Sequence, residues 1–208
     1  MKGLLLKDFY QAAKYCRSYL LICLVFLGIS LFAPDSNGFF VVYPCLLASM
    51  VPVNLISYDT ASRWEIMSLT LPYSRAQLVS AKYLVGLICQ TGIILLTVLC
   101  QGLKMGAVGG FSVTELGTLV VTLLSIALLL PALMLPLIFK LGVEKGRVFY
   151  LSGIGVMMAV CGIGYAQFAQ AGIRWSVSVP PVVLPLISIV LYVLSWRLSI
   201  HFYESREF

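Results

Sequence analysis

The chain has 208 residues, 61% of them hydrophobic and 11% charged, with a formal net charge of +6. Soluble domains carry about a quarter charged residues, so a mean hydropathy of +1.01 excludes a soluble globule and predicts an all-α integral membrane protein. The basic residues are dispersed between apolar runs, which argues against a nucleic-acid surface, and the alternating segments of an outer-membrane barrel are missing.

In chain order, residues 2–16 come first. Leu5, Phe9, Ala12 and Cys16 share one helical face and Lys7, Gln11 and Lys14 the opposite one, which predicts an interfacial elbow helix over residues 1–17 that anchors the chain at the membrane surface. Six apolar runs follow, at 18–33, 39–57, 84–103, 116–139, 148–168 and 177–198. Most are near the ~20 residues a helix needs to cross a bilayer, and they predict a six-helix transmembrane domain over residues 18–208. Twelve of the fourteen lysines and arginines fall on one side of this arrangement, with Lys104 and Arg174 on the other. The positive-inside rule then puts both termini in the cytoplasm, with the segment between spans two and three. In the fifth span, Gly155, Ala159 and Gly162 predict close helix approach, within the chain or between two copies. The six cysteines are scattered through apolar runs with no C-x-x-C pair and read as reduced packing residues.

The longest polar run, residues 58–84, lies between the second and third spans. Ser62 with Glu65, and Ser74 with Gln77, have the spacing of capping boxes, in which a serine takes up free backbone N–H groups at a helix start. Pro72 between them ends the first helix. The pattern predicts a short helix over 62–70 with Trp64, Met67 and Leu71 on one face and Arg63 and Glu65 beside them. Such a face suits a groove on another protein, and it equally suits a helix whose tryptophan rests among lipid headgroups.

The spans are notable for what they lack. All eight acids, Asp8, Asp35, Asp59, Glu65, Glu115, Glu144, Glu204 and Glu207, fall outside the predicted spans, whereas ion-driven carriers use ionisable groups at mid-membrane. No cluster of metal ligands, no Ser/His or paired-Asp arrangement and no G-x-x-x-x-G-K-[ST] phosphate loop is present. The sequence offers no catalytic, metal or cofactor site.

Trp64, Glu65, Leu71, Pro72, Ser74, Arg75, Lys82 and Tyr83, set between six spans and an N-terminal elbow, resemble the permease subunits of ABC-2 type exporters. The resemblance implies that residues 59–75 form a cytoplasmic coupling segment whose helix, over 62–70, docks in a groove of a separate ATP-binding subunit. Asp59, Ser62, Arg63, Trp64, Glu65, Met67, Leu71, Pro72, Ser74 and Arg75 would be its coupling residues. It further implies a working complex of two permease chains, identical or not, and two ATPases that carry ATP and Mg. The chain itself would be no enzyme, and would sit in a bacterial cytoplasmic membrane. More narrowly, the compact form is similar to permeases of phenol-soluble modulin exporters, implying an amphipathic or hydrophobic cargo such as a peptide toxin or antimicrobial peptide. A stand-alone carrier or channel, and a structural assembly protein, are the alternatives.

Overall fold

In a computed structural model, residues 2–15, 17–32, 38–68, 70, 72–108, 112–149, 151–153 and 183–205 are described. Among these, every regular element is an α-helix. Helix α1 (Lys2–Tyr15) and α2 (Arg17–Phe32) are followed by α3 (Gly38–Ser49), α4 (Val51–Ala61) and the short α5 (Trp64–Ser68). Then come α6 (Arg75–Val108), α7 (Val113–Leu141), α8 (helical over 143–149) and α9 (Val183–Glu204).

Among the described residues, four stretches are long and apolar enough to cross a membrane: Gly38–Ala61, Arg75–Ala107, Val113–Leu141 and Val183–Glu204. A fifth arises if α1 and α2, bent by 63° to one another, are taken as one span. Alone, the 16 residues of α2 reach about 24 Å, short of a ~30 Å hydrocarbon core. The expected fifth span at 148–168, with Gly155, Ala159 and Gly162, lies almost wholly outside the described residues. The six-span expectation therefore meets four spanning helices and one bent pair.

Local chemistry explains the breaks. Pro52 has no N–H to give back along the helix, and the chain takes a turn at Met50, whose N–H reaches the Leu47 carbonyl at 3.1 Å; α3 and α4 are thus two halves of one apolar stretch. The Ser74 box forms reciprocally: the Gln77 N–H donates to Ser74 Oγ at 3.3 Å and the Ser74 N–H to Gln77 Oε1 at 3.2 Å. Nothing interrupts the helix after it, so α6 runs for 34 residues, about 51 Å. The third span is thereby prolonged beyond the apolar run by about two and a half turns, which carry Arg75, Lys82 and Tyr83. At the end of α7 the chain reverses through Gly142, whose φ of 85° is costly for any residue with a Cβ.

Helices α7 and α9 form the most extensive pair, and the main core gathers where α1, α4, α6, α7 and α9 meet. Leu4, Val53, Val79, Leu135 and Ile138 are all nearly or fully excluded from solvent there. Gly86 lets α6 close on α4, since a Cβ at that position would stand 3.1 Å from Pro52 Cγ. By contrast, α9 exposes Leu186, Ile187, Val190 and Leu194, as a lipid-facing helix does.

Candidate functional site

The core converges on the polar segment 59–75. Helix α4 closes with the Ser62 N–H on the Tyr58 carbonyl (2.9 Å) and the Arg63 N–H on the Thr60 carbonyl (3.2 Å). Ser62 also donates its hydroxyl to the Asp59 carbonyl at 3.2 Å, so it ends α4, and α5 begins two residues later, after Arg63. Arg63 takes φ 54°, the left-handed position that commonly terminates a helix and is usually glycine. This turn aims α5 back across the bundle end and gives it two unlike faces. Ser68 is buried and Trp64 half-buried, whereas Met67 is 64% exposed and Arg63, Thr70 and Pro72 are exposed.

The inner face rests on four charges drawn from three helices. Lys82 Nζ of α6 lies 2.7 Å from Asp8 Oδ1 of α1 and 2.5 Å from Asp59 Oδ2 of α4. Lys7 Nζ lies 2.6 Å from Asp59 Oδ1 and 3.2 Å from Asp8 Oδ1. Asp8, Asp59 and Lys82 retain 0%, 4% and 7% of their exposure. A lone charge so placed would cost several kcal/mol; two acids and two bases in alternation cancel. The same Lys7 Nζ stands 4.4 Å from the centroid of the Trp64 ring, a cation–π contact. Trp64, Asp59 and Lys82 also line a cavity of about 30 Å³ with Leu4 and Tyr203.

The next residue along α6 points elsewhere. Successive helical side chains diverge by about 100°, and Tyr83, fully buried, faces α9. Its hydroxyl lies 2.8 Å from Ser195 Oγ and 2.7 Å from Ser199 Oγ. The Tyr192 hydroxyl donates to the Tyr83 carbonyl at 3.0 Å, and Trp196 stacks on the Tyr83 ring while its Nε1–H donates to Ser80 Oγ.

Several expected docking residues are thus occupied inside the chain. Asp59 is spent on Lys7 and Lys82 and offers no surface. Trp64, expected as an anchor for a partner's groove, is half-buried, with Lys7 over its ring and its side chain on the cavity wall. Arg75 donates from Nη1 to the Glu204 carbonyl at 2.8 Å, where a cation suits a helix C-terminus. Arg63, Met67, Pro72 and Ser74 remain on the surface, while Leu71 and the side chain of Glu65 lie outside the described residues.

Helix α1 also differs from its expected faces. Leu4, Asp8 and Ala12 are buried, while Phe9 is 51% exposed; the inward stripe is set by Asp8 meeting Lys82, which an apolar count cannot see. The signal was available as an acid in the stripe Leu4–Asp8–Ala12 and a base between Val79 and Val85, opposite charges each placed on a helical face otherwise apolar.

These features define a multi-pass, all-α membrane protein with a polar segment joined to the bundle by buried charges. Residues 3–204 match the family described as ABC-2 family transporter protein, and the chain belongs to that family. It is accordingly a membrane component of an ABC transport system, with an ABC ATPase as the family's partner. No curated protein matches the chain.

Proposed function

We propose that this chain is the permease subunit of an ATP-driven exporter and that segment 59–75 is its coupling element. The observation that carries the reading is the division of α5. Its outward side presents Met67 one turn from Arg63, both exposed, and its inward side seats Trp64 and Ser68 near the ion quartet. An apolar tip beside a cation is a surface a protein groove accepts. Force applied there passes through Trp64 and Lys7 to α1, and through Asp59 and Lys82 to α4 and α6. The bundle end would thus move as one piece when two ATPases, loaded with ATP and Mg, close beneath two permease chains. In this reading the segment and both termini lie in the cytoplasm, catalysis belongs wholly to the ATPase, and an amphipathic peptide or hydrophobic molecule is the cargo. Spans without mid-membrane counter-ions favour such cargo, which needs no buried partner for a fixed charge.

The test is Met67→Asp, co-expressed with the ATP-binding subunit of its transport system. The side chain is largely solvent-exposed, so insertion and thermal stability should match the parent. Capture of the ATPase should fall about tenfold or more, as for a lost interface anchor. Equal capture by Met67→Asp and the parent would remove the coupling assignment.

A further inference from the structure

Between α1 and the end of α4 lies an open cleft of about 500 Å³, lined among others by Lys7, Gln11, Lys14, Tyr15, Tyr58 and Trp64. Among the described residues, the one acid in its wall, Asp59, is already held by Lys7 and Lys82. Lys14 makes no ion pair with any described residue; its Nζ stands 5.5 Å from the Tyr15 ring centroid. The uncompensated charge among the described residues of the cleft is therefore positive. Tyr15 and Tyr58 stack at 4.3 Å and form an aromatic wall with hydroxyl groups, of the kind enriched at headgroup depth. Gln11 carries a buried Oε1 with no hydrogen-bond partner, an acceptor that lacks a donor. Beside the cleft, Leu6, Phe9 and Tyr10 leave α1 exposed, as befits a helix immersed in the interfacial layer.

We infer that this cleft binds the headgroup of an anionic phospholipid from the leaflet that meets α1, with a hydroxylated headgroup such as glycerol preferred. The phosphate accepts from Lys14 and the tyrosine hydroxyls, and a headgroup hydroxyl donates to Gln11 Oε1. A lipid is favoured over a soluble anion because the cleft is walled by an interfacial helix and the end of an apolar span, where lipid phosphates already stand. The inference is independent of the ATPase reading above.

Native mass spectrometry of the protein in neutral detergent tests it, with phosphatidylglycerol, phosphatidylcholine and inorganic phosphate as probes. One phosphatidylglycerol per chain should be retained, phosphatidylcholine should be lost, and millimolar phosphate should fail to displace the lipid. Lys14→Gln should weaken retention about tenfold, the scale of one charge-assisted contact, and Lys14→Arg should restore it. Retention unchanged in Lys14→Gln, or equal retention of phosphatidylcholine, overturns the site. Displacement by phosphate alone overturns the lipid assignment. Gln11→Leu should abolish the preference for phosphatidylglycerol over phosphatidic acid; an unchanged preference overturns the role given to the headgroup hydroxyl.

Discussion

Lys82 and Tyr83 are neighbours in α6, yet each builds a different kind of seam. Lys82 joins α6 to α1 and α4 through charges, and Tyr83 joins α6 to α9 through hydroxyls. The charged seam balances only while all four members stay together, and it lies under Trp64 of α5, in the segment proposed above to couple. The hydroxyl seam is neutral, so losing one bond leaves no net charge behind. Under the coupling proposed above, the region that would transmit displacement is held by mutually dependent charges, and the region that would stay assembled by neutral hydrogen bonds.

The largest way to break this contrast is Lys82→Gln. It leaves Asp8 and Asp59 sharing Lys7 alone, an excess negative charge among buried groups, and should cost about 3–5 kcal/mol, read as lost thermal stability in detergent. Adding Asp8→Asn returns the site to one acid and one base, so the double variant should recover more than half of the loss. If the two substitutions simply add, the quartet is not the coupled unit described above. Tyr83→Phe supplies the counterpart. It removes the hydroxyl shared by Ser195 and Ser199 while keeping the ring on Trp196, and should cost about 1 kcal/mol, the usual scale for a hydrogen bond between membrane helices.

How much of this was legible beforehand follows from the same two residues. Apolar run length located the four spanning helices found among the described residues, because burial in hydrocarbon is written residue by residue, and the Ser74–Gln77 box foretold where α6 starts because a cap is local chemistry. The quartet was not legible as a site. Asp8, Asp59 and Lys82 lie at sequence separations of up to 74 residues, and only packing shows that they meet. The direction of Trp64 was not legible for a related reason: helical spacing says which residues share a face but not which way the face turns. That direction was fixed by the left-handed turn at Arg63, and arginine gives no such signal.

That turn supports the smallest effect, and it separates backbone from charge. A non-glycine residue at φ 54° is held at a cost of about 1 kcal/mol, part of which glycine would return while losing more entropy on folding. Arg63→Gly should therefore leave thermal stability within about 0.5 kcal/mol of the parent, on the favourable side. Arg63→Ala, with the same charge removed but a Cβ retained, should gain nothing. Both variants lose the cation beside Met67. Equal reduction of ATPase capture in the two would assign the effect to charge at the outer face, whereas a loss confined to one of them would assign it to the path of the chain between α4 and α5. In the second case it is the angle at which α5 meets the ion quartet, rather than the groups it shows outward, that the partner engages.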